Sequence, residues 1–168
     1  MTTRTDFTPE QWQALRNAPQ LVALATAAAG HSGLFGSLAE GFATAGTIAE
    51  ALRGDHPLIR ELFGREEIRA AQDEIKGTLR DVPDRAALGP VLQKAATDTV
   101  ATALAALAAR GTAADVDAFR ALLRDIGERV ANASREGSFL GFGGERVSEG
   151  EREFLAVLAS ALGSGRVA

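Results

Sequence analysis

Four glutamates crowd one short stretch of the chain: Glu145, Glu149, Glu151 and Glu153. Glu149 and Glu153 stand four residues apart, which on a helix places two carboxylates on one face, where they could hold a hard cation such as Ca²⁺ or Mg²⁺. Acidic side chains also favour the first turn of any helix, where they oppose the positive end of the dipole. That simpler reading is preferred, and no metal site is expected. The histidines are His31 and His56. Asp55-His56 precedes a proline and is expected to cap a helix with the histidine exposed. His31 falls at a helix end, where the dipole favours a cation. No serine, histidine and acid set is recognisable. The Glu-x-x-His spacing of di-iron bundles is missing, and "GFGGER" lacks the Lys-Ser/Thr of a phosphate loop and follows no strand. The chain has no cysteine. Disulfides, iron–sulfur clusters, thiolate zinc sites and thiol nucleophiles are thereby excluded. The sequence predicts no catalytic constellation and no cofactor, so the chain is expected not to be an enzyme.

The elements that would carry these residues read as helix nearly throughout. Alanine dominates, β-branched residues are sparse, and no segment alternates apolar and polar over a strand's length. "FTPEQW" is a start signal: Thr8 caps, Pro9 takes the first helical position, Gln11 completes a capping box, and Phe7 and Trp12 stand at staple positions. This helix should reach about Ala29, with Pro19 kinking or restarting it. A second helix carries Phe35, Leu38, Phe42, Ala45, Ala49 and Leu52 and stops at Gly54. Asp55 and Pro57 open a short helix with Leu58, Ile59, Leu62 and Phe63, broken by Gly64. The run "GREEIRAAQDEIK" reads as a solvated helix face. Pro83 and Pro90 each mark a restart, giving an alanine-rich helix from Pro90 to Arg110. Gly111 stops it and Thr112 caps the next, whose Val116, Phe119, Leu123, Ile126, Val130 and Ala133 form a seam for a partner helix. Ser148 and Glu151 form a further capping box before Phe154, Leu155, Leu158, Ala161 and Leu162, and Gly163 ends that helix.

The expected fold is all-α, a compact bundle of about six or seven helices. Its 168 residues suit one domain, with an ordered core over 6–163 and a frayed tail at 164–168. Net charge is -4, from 18 basic and 22 acidic residues that alternate along helices. No basic stripe results, so nucleic acid is not an expected partner. No charged-then-apolar leader is visible, and no run of about 18 apolar residues could span a bilayer. A cytoplasmic location is expected.

Two stretches depart from the pattern. "HSGLFGSLAEGF" (31–42) and "GSFLGFGGER" (137–146) set Leu34, Phe35, Phe139, Leu140 and Phe142 among glycines, where a connection should be polar. They could be halves of an old duplication. The first expectation is that both fold back and plug the ends of the bundle, with Phe139 and Leu140 packed on their own domain and Phe142 turned outward. The second is that these five residues form a docking surface for another protein or a second copy. The third, less favoured, is shallow membrane contact by a peripheral module: Arg135 and Arg146 are outnumbered by Glu136, Glu145 and Glu149, so attraction to anionic lipid is poor.

The C-terminal stretch "VANASREGSFLGFGGERVSEGEREFLAVLASALG" resembles the TerB-like family of bacterial all-helical domains. Val147, Ser148 and Glu151 match that family's hydrophobic-Ser-x-x-Glu helix start. Leu158, Ala159, Leu162 and Gly163 resemble its helix end, and Glu136-Gly137 stands where the family has Asp-Gly. The resemblance implies a bacterial helical module linked to tellurite resistance and stress. The expected function is a non-enzymatic protein–protein interaction or assembly module.

Overall fold

A computed structural model describes residues 2–30, 54–80, 82, 85–136 and 148–163. Within them the fold is all-α and contains no strand. A single 3-10 turn, Arg4–Asp6, precedes six α-helices: α1 (Pro9–Ala29), α2 (Pro57–Leu62), α3 (Arg65–Arg80), α4 (Arg85–Arg110), α5 (Ala113–Glu136) and α6 (Glu149–Ala161). The helix expected over Phe35–Leu52 lies outside the described residues.

α1 begins as its sequence dictates. The Gln11 N–H donates to Thr8 Oγ1 at 3.3 Å, and the Thr8 N–H donates to Gln11 Oε1 at 3.0 Å. The Phe7 and Trp12 rings, 6.0 Å apart, close the staple. From Asn17 to Ala27 every residue of the helix is buried, among them Ala18, Val22, Ala23, Leu24, Ala25 and Ala27. A stretch this apolar must be enclosed. It is: α3, α4, α5 and α6 all pack on α1, and α4 does so most extensively.

Two apolar groups fill the interior. One gathers Phe7, Trp12, Leu15 and Val22 of the N-terminal region and α1 with Leu58, Ile59 and Phe63 near α2, Val100 and Leu107 of α4, Phe119, Leu123 and Ile126 of α5, and Leu158 and Leu162 of α6. The other joins Leu21, Leu24 and Ala29 to Ile75 and Leu79 of α3, Leu92 and Ala96 of α4, and Phe154 of α6. The seam anticipated on α5 is buried at Phe119, Leu123, Ile126 and Val130, while Val116 is partly buried.

Two expectations about helix ends are corrected. α4 starts at Arg85 and runs unbroken through Pro90, which therefore does not restart it. Pro90 forfeits only the bond its N–H would make to Ala86. The extra turn is held by packing, since Leu88, Val91 and Leu92 join the second apolar group. α1 runs to Ala29 as expected, and of the two outcomes expected at Pro19 the restart does not occur, since this fully buried residue lies within one continuous helix. Finally, α2 takes His56 rather than Asp55 as its N-cap, with Pro57 at the first helical position after the left-handed Gly54.

Glycines within helices separate into two kinds. A Cβ on Gly127 would lie 2.9 Å from Leu155 Cδ2 and 3.2 Å from Leu158 Cδ2, so α5 needs a bare backbone where α6 crosses it. A Cβ on Gly77 would meet nothing within 4 Å. Gly77→Ala should therefore stabilise the protein by about 0.5–1 kcal/mol through helix propensity alone. Gly127→Val should cost about 1–3 kcal/mol by overpacking. Urea denaturation of the two variants checks both signs.

Candidate functional site

Leu34, Phe35, Phe139, Leu140 and Phe142, the residues expected to dock a partner, lie outside the described residues, as do His31 and Glu145. The points from which their segments depart are described, and they meet. Gly30 closes α1 immediately before segment 31–53, and Ser148 caps α6 immediately after segment 137–147. Between them stands Glu151. Its Oε2 accepts the Ser148 N–H at 2.9 Å and the Ser148 hydroxyl at 3.0 Å, and the Glu151 N–H donates to Ser148 Oγ at 3.2 Å. A Cβ on Gly30 would sit 2.9 Å from Glu151 Oε1 and 3.3 Å from its carboxyl carbon. The exit of α1 and the start of α6 therefore share one end of the bundle, and the glycine is what lets them approach.

This geometry divides the acidic cluster. Glu151 is only 2% exposed, with Oε1 buried and unpartnered, whereas Glu149 and Glu153 are exposed. The three carboxylates share a stretch of sequence but not a surface. Among the described residues no group of three or more metal-ligating side chains comes together.

A second constellation occupies the start of α5. Asp115 Oδ2 accepts the Thr2 hydroxyl at 2.6 Å, the Thr112 hydroxyl at 2.7 Å and the Thr112 N–H at 2.7 Å. The Asp115 N–H donates in return to Thr112 Oγ1 at 3.2 Å, so Thr112 caps α5 as expected. His56 Nε2 lies 3.6 Å from Asp115 Oδ1. The expectation that His56 is exposed is corrected: its side chain is 28% exposed, drawn in against the carboxylate. Burial pushes the Asp115 carboxyl up, but the Thr112 hydroxyl, the Thr2 hydroxyl, the Thr112 N–H and the His56 charge together outweigh it and hold the group below its ordinary value. Threonine, histidine and aspartate meet here without the order that nucleophilic catalysis requires. Both hydroxyls give their protons to the carboxylate rather than to the imidazole, and His56 Nδ1 is buried without a partner. The arrangement ties segments together and activates no nucleophile. The Thr-x-x-Asp spacing could have revealed the cap. Nothing local could have revealed Thr2.

A third set lies on α3, whose expected solvated face is exposed at Arg65, Glu66, Arg69, Asp73 and Lys76, while Glu67 and Glu74 turn toward α1. Glu67 is buried and receives Arg4 Nη1 at 2.8 Å and Arg16 Nη1 at 3.1 Å. Arg16 also pairs with Glu74, whose Oε2 accepts Asn17 Nδ2 at 3.0 Å. Gln20 Nε2 reaches the Ile68 carbonyl at 3.2 Å. These contacts join α1 to α3 along a charged edge. Beside it lies a cleft of about 230 Å³ floored by Leu21, Ile75, Leu79 and Val91. Its volume is below the range of about 300–1,000 Å³ usual for ligand pockets.

No protein-family model, no curated protein and no solved structure matches the chain.

Two outcomes are expected. Asp115 is stabilising when ionised because its folded value is lowered, so its contribution is complete above about pH 4 and is lost as pH falls through the folded value. Asp115→Asn should lower stability at neutral pH by about 1–3 kcal/mol, and should flatten the decline of the urea midpoint between about pH 5 and pH 2. Added Ca²⁺ or Mg²⁺ should leave the melting temperature unchanged. A specific site at 100 times its Kd would add about 2.7 kcal/mol, and a rise abolished by Glu149→Ala would reveal one.

Proposed function

We propose that the chain is a non-enzymatic helical module that binds another protein or a second copy of itself. The docking end is where Gly30 meets Glu151, with Leu34, Phe35, Phe139, Leu140 and Phe142 supplying the contacts. The observation that supports this reading most is that adjacency: Gly30, which precedes one glycine-rich segment, and the Ser148–Glu151 cap, which follows the other, meet at one end of the bundle. Residues from both could then act on one surface, which is what a docking site needs. The described surface offers no competing apolar patch. Among the described residues Val157, 50% exposed, is the large hydrophobic side chain left open. No described helix is long and apolar enough to cross a membrane, and a cytoplasmic setting fits the reading. The TerB-like resemblance of the C-terminal stretch extends it to a bacterial, stress-associated role.

Alanine substitution with two readouts tests the proposal. Phe142→Ala should leave stability within about 0.5 kcal/mol, yet weaken self-association in sedimentation experiments or the capture of a co-purifying protein. Phe139→Ala should cost about 3–5 kcal/mol, as loss of a packed phenylalanine does. Unchanged assembly and capture in Phe35→Ala and Phe142→Ala together would remove the docking reading. Loss of vesicle binding in the same variants would replace it with membrane contact.

A further inference from the structure

We infer that Thr2–Asp6 forms a detachable strap, hinged at Phe7–Thr8 and latched to carboxylates on three helices, that opens in acid while the bundle stays folded. This inference is independent of the docking end, which lies at the opposite end of α1.

The strap is a preformed unit. Its 3-10 turn is closed by the Asp6 N–H donating to the Thr3 carbonyl at 3.0 Å and the Thr3 N–H donating to Asp6 Oδ2 at 2.8 Å. The latches reach away from it. The Thr2 hydroxyl donates to Asp115 of α5 at 2.6 Å. The Arg4 N–H donates to Glu61 of α2, 3.3 Å from Oε2 and 3.4 Å from Oε1. Arg4 Nη1 meets Glu67 of α3 at 2.8 Å. Thr3, Arg4, Thr5 and Asp6 bury no large apolar surface, and Thr2, which is itself buried, carries a single methyl group. Phe7, which does, sits beyond the hinge and is held by Trp12. The strap is therefore attached by carboxylate hydrogen bonds, whereas the helices are attached by apolar packing.

Opening orphans no buried charge, and this favours release over global unfolding. Asp115 retains the Thr112 hydroxyl and N–H, with His56 facing it. Glu67 retains Arg16, which in turn holds Glu74. Glu61 is already exposed to water. An acceptor that keeps a second partner does not incur the penalty of an unsatisfied buried group. Protonation acts in one direction on every latch, because a neutral carboxyl is a weaker acceptor and no longer attracts Arg4; the Asp115 latch, whose carboxyl is held below its ordinary value, persists to lower pH. Segments held this way open sub-globally, at lower free energy than the core.

The Arg4 amide proton, bonded to Glu61, reports the latched state directly. Amide exchange on the full chain, expressed as protection factors, should show Arg4 less protected than Leu107 and Leu123 of the core. On moving from about pH 6 to about pH 3.5, Arg4 protection should fall by about tenfold or more, and by a larger factor than that of the core amides, which follow global stability. Thr2→Val, which removes one latch and leaves the Thr112–Asp115 cap intact, should produce part of that loss at pH 6. Parallel loss of protection at Arg4 and in the core would show one cooperative unit and overturn the inference. So would Arg4 protection indifferent to pH. The titration of the unaltered chain decides between these outcomes even if the variant fails to fold.

Discussion

The enclosure of α1 is the constraint from which the rest of the structure follows. From Asn17 to Ala27 α1 has no residue open to solvent, so the polar groups of that stretch must find partners inside. Thr26 donates back to the Val22 carbonyl at 2.8 Å, Asn17 to Glu74 and Gln20 to the Ile68 carbonyl. Four neighbours can surround one helix closely only if side chains at the crossings are small. The alanines of α1 and the bare Gly127 beside Leu155 and Leu158 meet that need. Close approach multiplies dispersion contacts in a core that has few large aromatic side chains to supply them.

The buried acids occupy the margins of this arrangement. Glu151 and Asp115 each stand at the third position of a helix, where free N–H groups and the dipole favour an anion, and each closes a capping box. Glu67 is compensated by two arginines from different segments. Such groups add little net stability, because the attraction they gain is offset by the water they lose. What they supply is registration: the start of α5 is fixed against the N-terminal segment and His56, and the start of α6 against the end of α1.

Features fixed by neighbours in sequence were legible, and features fixed by distant partners were not. The boxes at Thr8–Gln11 and Ser148–Glu151 and the stop at Gly163 each depend on residues within one turn, and the sequence reading placed them correctly. Phe119, Leu123, Ile126 and Val130 repeat at helical spacing, so their burial was readable too. Pro90 misled because its local cost is real, yet packing against Leu21 and Ile75 outweighs it. Glu67 misled because its composition is that of a solvated helix, while Arg16 lies 51 residues away. His56 was drawn inward by Asp115, a pairing that no motif announces. For the candidate site, the glycine and phenylalanine content of the two segments was visible in sequence, whereas the meeting of their anchors at Gly30 and Glu151 was not.

The central position of α1 also sets the order in which the chain can assemble. α1 is synthesised before every helix that covers it, and from Ala18 onward it is largely apolar. Its covers on α5 and α6 are made roughly a hundred residues later, on the order of ten seconds at ordinary rates of synthesis. Throughout that interval α1 has no complete shelter of its own making. Complete burial of α1 must therefore wait until α6 has been made. Contacts such as Thr2 with Asp115 and Gly30 with Glu151 close long loops, which makes this all-helical protein slower to fold than its helix content alone implies.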